Sequence, residues 1–259
     1  MCLIVLSLGQ HPEYPLIVAA NRDEFYARPT RDADWWPDNP DVVGGRDLQA
    51  GGTWFAADRN RRFATVTNFG ETRRPEARKY SRGLLVTDFL DSELSPADFL
   101  QTIDGDAYAG FNLIVGDAGD VAYASNRGTG IRRLEPGTYG LSNTLLDGPW
   151  HKIRRSKSQM LNLLGEDRIN ESHLMRLMAD RQRAPVDQVE TGRFDFDTAH
   201  ALTAPFIVLP NYGTRCTTIL IVDREDRWHF TERRFGPGGD KTGESRFVFA
   251  ARNQSSHTA

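Results

Sequence analysis

The second residue of the chain is a cysteine, directly behind the initiator methionine. Removal of Met1 leaves Cys2 with a thiol and a free α-amine on one residue. An α-amine with a pKa of about 7.7–8.0 is close enough to neutrality to accept a thiol proton. That union of nucleophile and base is the logic of N-terminal nucleophile catalysis. The alternative is that Cys2 opens a buried strand, because free cysteine packs as a small hydrophobe. A second polar group, Asn21-Arg22-Asp23-Glu24, emerges from the apolar run that ends at Ala20. In an extended chain Asn21 and Asp23 share one face, and Arg22 and Glu24 share the other. Asp23 and Asn21 can then orient an α-ammonium while Arg22 and Glu24 pair opposite; a solvated strand end is the plainer reading. The histidines, His11, His151, His173, His200, His229 and His257, show no HxH or HExxH spacing, so no metal site and no cofactor are expected. Cys216, beside Arg215 in an apolar run, is expected in the core. Trp35, Trp36 and Trp54 are candidates to line a pocket, with aromatic packing as the alternative.

The elements that must position these residues follow from pattern. Cys2–Leu8 and Leu16–Ala20 are strands joined by the turn-rich Gly9–Pro15 segment, which brings the end of the second strand close to Cys2. A polar loop with Trp35, Trp36 and several prolines follows. The glycine pairs Gly44-Gly45 and Gly51-Gly52 lack the Gly-Lys-Ser/Thr and the helix of a phosphate loop, and predict tight turns between strands. Strands are predicted at Thr53–Ala57, Arg62–Asn68, Phe111–Asp117 and Val121–Asn126, with Thr138–Asn143 continuing the sheet of the last two. Helices are predicted at Ser81–Leu90 and Ser95–Ile103, with Ser81 and Ser95 as N-caps, and at Pro149–Leu164 and Glu171–Met178. Arg181–His200 is predicted as a loop, and Phe206–Leu209, Cys216–Asp223 and Trp228–Arg234 as strands. Strands outnumber helices and join by short turns, which favours antiparallel sheets with helices on their outer faces.

Several linked motifs in order, Cys2, Asn21-Arg22-Asp23-Glu24, Gly44-Gly45-Arg46-Asp47 running into Gly51-Gly52-Thr53-Trp54, Thr67-Asn68-Phe69 and Tyr212-Gly213-Thr214-Arg215, resemble the NRDE family, the family of the transport and Golgi organisation protein 2. The resemblance runs from Cys2 to about Phe235. It implies one domain over 1–235, with 236–259 a partly disordered tail. More distantly the sequence is similar to the cysteine N-terminal nucleophile hydrolases of the choloylglycine hydrolase and penicillin V acylase group. That similarity implies an α+β fold, a four-layer αββα sandwich of mainly antiparallel sheets, and a cysteine that cleaves amide bonds. It also implies roles by position: Cys2 as nucleophile, Asp23 as the aspartate ending the second strand, and Asn143 of Gly140-Leu-Ser-Asn143 as an oxyanion donor. Asn68 falls near a second donor through its backbone N–H, and Arg215 matches a late strand arginine that can balance Asp23 and favour a thiolate, so the Cys2 thiol is expected below its ordinary pKa. The sequence departs from those hydrolases at Ala20, where they carry an arginine three residues before the aspartate. Either Asn21 substitutes, Arg22 reaches round a distorted strand end, or full hydrolase activity is absent.

Composition limits the classes. The chain has 259 residues with 32 Lys+Arg against 35 Asp+Glu, so no global basic field points to nucleic acid or to an anionic membrane. The apolar run at Leu3–Leu8 lacks preceding basic residues and is too short to span a bilayer, which predicts a cytoplasmic chain without a transmembrane segment. Two functions of different class remain. One is an amidase or acyl transferase acting on a small-molecule acyl or amide substrate. The other, implied by links of family members to haem trafficking and to lipid or acyl-CoA handling, is non-catalytic binding of an apolar ligand in the same pocket. No CxxCH motif is present, so haem would be held non-covalently. Oligomeric state is not encoded in these motifs.

Overall fold

A computed structural model describes residues 2–70, 79–117, 119–192 and 194–250. In chain order the first elements are β1 (Cys2–Leu8), β2 (Leu16–Phe25), β3 (Thr30–Trp36), β4 (Asn39–Asp47), β5 (Phe55–Asp58) and β6 (Phe63–Asn68). Helices α1 (Leu84–Asp91) and α2 (Pro96–Gln101) follow, then β7 (Phe111–Gly116), β8 (Val121–Ser125), β9 (Ile131–Arg133) and β10 (Gly137–Leu141). The remainder holds α3 (His151–Gly165), α4 (Glu171–Met178), α5 (Phe196–Ala201), β11 (Tyr212–Val222), β12 (Arg227–Phe235) and β13 (Lys241–Ala250).

The strands form two antiparallel sheets, a six-stranded one in the order β10-β1-β2-β11-β12-β13 and a seven-stranded one running β3 to β9 in sequence order. Three apolar layers explain why the sheets stack. Ile4, Leu6, Val18, Leu220 and Phe230 from the first sheet meet Phe55, Phe63 and Ile114 from the second. On the outer face of the first sheet, Leu3, Val5, Ile17, Ala19 and Ile219 pack against Ile153, Met160, Leu174 and Met178 of α3 and α4. On the outer face of the second, Val66, Leu113 and Val115 pack against Leu85, Phe89 and Phe99 of α1 and α2. The result is an αββα sandwich, and it explains the unbroken run Leu3–Leu6: with both faces covered, every residue of β1 has reason to be apolar. Each such side chain contributes roughly 1.5–3 kcal/mol on burial.

Several local expectations change. The polar stretch around Trp35 and Trp36 is not a loop but β3 and β4, since an edge strand with one solvated face carries charge at every exposed position and so hides its pattern. Gly44 and Gly45 lie inside β4, where close packing rather than a turn requires them. A Cβ on Gly44 would sit 2.7 Å from the Phe55 carbonyl oxygen, and one on Gly45 would strike the Trp54 ring. The turn belongs to Gly51 and Gly52, with φ of 73° and 72°. Helix α1 is preceded by Gly83 without a side-chain cap, whereas Ser95 caps α2 by accepting the Asp98 N–H. The Thr138–Asn143 segment does not extend the β7–β8 sheet; β10 pairs with β1 across the sandwich, a choice that local hydrophobicity does not encode. Arg181–His200 contains α5, started by Asp195, and Phe206–Leu209 is irregular with a single bridge from Val208 to Gly213. Within 236–259, expected to be a partly disordered tail, Lys241–Ala250 is ordered as a strand. That segment is β13, paired along β12, with Phe249 buried against Trp228. Residues 251–259 lie outside the described residues.

Candidate active site at the N-terminal strand

The register of three neighbouring strands builds the site. Cys2 of β1 is the Cα partner of Arg22 in β2, Arg22 is the partner of Cys216 in β11, and Cys216 is the partner of Arg234 in β12. Cross-strand partners point the same way, so a thiol, a guanidinium, a second thiol and a second guanidinium form one row on the inter-sheet face. The Arg22 guanidinium lies 4.1 Å from the Trp54 ring centroid, and its Nη1 donates to Thr30 Oγ1 at 2.9 Å. Arg22, rather than Asn21, therefore shares the face of Cys2.

Asp23 and Asn21 point to the opposite face, towards the helices. Asn21 is saturated: Nδ2 donates to the carbonyls of Met178 and Pro205 at 2.8 and 3.0 Å, and Oδ1 accepts from Thr217 Oγ1 at 2.6 Å. It clamps β2 to the end of α4 and is not placed to orient an α-ammonium. Asp23 is buried. Its Oδ1 accepts from Thr214 Oγ1 at 2.7 Å, and its Oδ2 lies 4.0 Å from Nζ of Lys152 on the first turn of α3. Burial raises the Asp23 carboxyl pKa, opposed first by Lys152 and also by the Thr214 hydrogen bond. Burial likewise lowers the pKa of the Lys152 ammonium, with Asp23 opposing. The backbone N–H of Asp23 donates to the Cys2 sulfur, so Asp23 serves the thiol through its main chain and faces Lys152 with its side chain.

Lys152 is absent from the set that the motifs name. Its Nζ is fully buried and has no hydrogen-bond partner among the described residues. The signal for it lies in spacing: Lys152, Ser156 and Met160 recur every four residues on the face of α3 that also buries Ile153, so a lysine stands on an apolar stripe.

The oxyanion candidates come from the other side of Cys2. The Ser142 hydroxyl donates to the Cys2 carbonyl at 2.6 Å, and Asn143 Nδ2 donates to the Asn68 carbonyl at 2.6 Å. Thr67 Oγ1 and Asn112 Nδ2 both donate to the Ser142 carbonyl, at 2.6 and 3.3 Å, fixing this segment to β6 and β7. Asn143 is buried, whereas Asn68 ends β6 with an exposed side chain. Structure thus links Cys2, Asn143 and Asn68 through one hydrogen-bonded chain. Arg215 departs from expectation. It is the extra residue where the β2–β11 register shifts between Thr214 and Cys216, and its Nη1 donates to the carbonyls of Phe25 and Arg28 at 2.8 and 3.2 Å. Lys152 supplies the positive charge beside Asp23 instead.

The thiol also differs from expectation. Cys2 is half-buried, and burial pushes its pKa up; the Asp23 charge adds to this, while the Asp23 N–H and Arg22 oppose it. A thiolate is not preformed. Cys216, fully enclosed, is raised much further by burial and by neighbouring Glu232.

Residues 1–237 match the family described as Transport and Golgi organisation 2. The chain belongs to that family. Its relatives include the Transport and Golgi organization protein 2 homologs of Bos taurus and Homo sapiens, each 36% identical over 90% of this chain and 92% of their own length. The Transport and Golgi organization protein 2 of Drosophila melanogaster is 29% identical over 94% of this chain and 95% of its own. Among solved structures, the C2A mutant of conjugated bile acid hydrolase from Clostridium perfringens superposes with a TM-score of 0.52 at 9% identity, covering 95% of this chain and 92% of that one. A second variant of the same enzyme gives 0.51, covering 98% and 100%. At that identity the likeness is one of fold. It places this Transport and Golgi organisation 2 member in the N-terminal nucleophile hydrolase architecture, and no helix among its described residues is long and apolar enough to cross a membrane.

Proposed function

We propose that Cys2, exposed by removal of Met1, is the nucleophile of an amide hydrolase or acyl transferase acting on a small-molecule acyl group. The observation that carries this reading is the convergence on Cys2 of Arg22, the Asp23 N–H and the Ser142–Asn143–Asn68 chain from three separate parts of the sequence. Scattered strands have little reason to bring such groups to one thiol unless the site has a role.

The α-amine of Cys2 takes the thiol proton as sulfur attacks the carbonyl carbon, and the carbonyl oxygen becomes an oxyanion. The Asn143 Nδ2 proton not used by the Asn68 carbonyl, together with the Asn68 backbone N–H, stabilises that oxyanion, a contribution of roughly 3–4 kcal/mol per donor. The C–N bond breaks as the α-ammonium returns its proton to the leaving amine, which leaves a thioester on Cys2. Water, or an acceptor amine, gives a proton to the α-amine as it attacks the thioester carbonyl; the C–S bond then breaks, the α-ammonium returns that proton to the departing sulfur, and the carboxylic acid or the new amide is released with the Cys2 thiol restored. With the Cys2 thiol pKa raised by burial, the α-amine is the base that this mechanism assigns to it. Arg22 takes the position of positive charge that Ala20 cannot fill: Ala20 pairs with Ile4 one step inside the core, whereas Arg22 stands directly across from Cys2. The reading places the protein in the cytoplasm, where methionine removal from a small second residue occurs.

The raised thiol is the one observation that favours the second reading, an apolar ligand such as haem or a lipid held without turnover. Turnover of a panel of acyl amides decides between them. Activity abolished in Cys2→Ala supports the hydrolase; no turnover, with ligand binding retained in Cys2→Ala, supports the binder.

A further inference from the structure

A cavity of about 260 Å³ opens next to Arg22 and carries three guanidinium groups, from Arg22, Arg215 and Arg234. Strand register explains the cluster. Arg22 and Arg234 stand on the same inter-sheet row through Cys216, and the shift between Thr214 and Cys216 gives Arg215 the extra position beside them. Two acids share the space. Asp32 is exposed and lies 3.1 Å from Arg234 Nε. Glu232 is buried, accepts the Ala33 N–H at 3.0 Å, and lies 3.8 Å from Arg234 Nη1. Three cations against two carboxylates leave the cavity positive, and burial raises the Glu232 pKa, which favours its neutral form. Arg22 is stacked on Trp54 and donates through Nη1 to Thr30. Among the described residues no protein acceptor meets its Nε or Nη2. A planar, immobilised guanidinium with unused donors is the group that recognises a carboxylate in two-point fashion.

We infer that this cavity is a carboxylate subsite, and that the ligand handled at Cys2 is an acidic amide such as an N-acyl amino acid, its carboxylate held by Arg22 and Arg234 across the strand from the thiol. The link to Cys2 rests on the hydrolase reading above; the subsite itself does not. Adjacent strands separate Arg22 from Cys2 by about 5 Å between Cα atoms, a span that the few bonds between an amide carbonyl and an amino-acid carboxylate can bridge.

The test compares decanoylglycine with decanoylglycinamide, which differ only in the charge at the end. The wild-type protein is expected to turn over the acid with a kcat/KM at least tenfold higher. Arg234→Gln is expected to lower that preference to within threefold, and Arg234→Lys to restore part of it. Equal kcat/KM values, or a preference for the amide, overturn the subsite while leaving the hydrolase standing. If neither compound is turned over, calorimetry on Cys2→Ala decides: tenfold tighter binding of the acid, lost in Cys2→Ala/Arg234→Gln, supports the subsite without the hydrolase. Equal or absent binding of the two compounds overturns it.

Discussion

Replacing Lys152 by methionine isolates the buried ion pair under the site. Lys152 and Asp23 face each other at 4.0 Å with both side chains fully enclosed. Methionine keeps the length and the apolar stem but removes the charge, so the Asp23 carboxylate loses its largest opposing influence. Breaking a buried pair from one side costs about 3–5 kcal/mol, because the remaining charge stays desolvated. At roughly 2–4 °C per kcal/mol for a chain near this size, the melting temperature at pH 7.5 is expected to fall by about 6–20 °C. The sign with pH follows from Asp23. Its folded pKa is already raised by burial and moves further up in the variant, so between the unfolded carboxyl value of about 3.9 and that raised value only the folded state holds the proton. Stability of the variant therefore falls as pH rises through this window, and its deficit against wild type shrinks at pH 4.5. Asp23→Asn added to Lys152→Met removes the orphaned charge and is expected to recover most of the loss. Thermal unfolding of the three proteins at both pH values is the assay. A Lys152→Met loss below about 1 kcal/mol, equal at both pH values and unrelieved in the double variant, would refute the buried-pair account.

Iodoacetamide near pH 8 should label half-buried Cys2 faster than enclosed Cys216, read by peptide mass spectrometry, and labelling of Cys2 should accelerate as pH rises, because burial raises its thiol pKa; equal rates at the two thiols contradict the site. Asn143→Ala, which removes an oxyanion donor and its bond to Asn68, is expected to lower kcat by about 10²–10³ with little change in KM. Gly45→Ala drives a methyl group into the Trp54 ring on which Arg22 rests; overpacking of this kind costs about 1–3 kcal/mol in urea unfolding, and a neutral result would remove the packing argument for that glycine. Asn21→Ala should destabilise by leaving the carbonyls of Met178 and Pro205 without their donor, with kcat falling far less than in Asn143→Ala.

The fold was legible where both faces of a strand are covered, as in β1 and β11, and where a cap is explicit, as at Ser95. Edge strands were not: β3 and β9 carry exposed, charged residues whose pattern resembles loop. Partner choice was also hidden, since β10 reads as a neighbour of β8 in sequence but closes the other sheet beside β1. At the site, alternation along β2 correctly separates Asn21 and Asp23 from Arg22, but it does not say which face Cys2 joins. Only register does, and register puts Arg22 opposite the thiol. Arg215 could not be read from alternation because a bulge precedes Cys216, and Lys152 could not be read from motif because its role comes from a helix docking on Asp23.

The central claim is that the mature protein presents Cys2 as a free N-terminal nucleophile, and intact-mass measurement after exposure to an acyl donor tests it most directly. The account predicts a mass lacking one methionine, then a gain of one acyl group that maps to Cys2, disappears with time as the thioester is resolved, and is absent in Cys2→Ala. A protein that retains Met1 and acquires no adduct would contradict it, because the α-amine would then be locked in a peptide bond and the buried thiol would have no base.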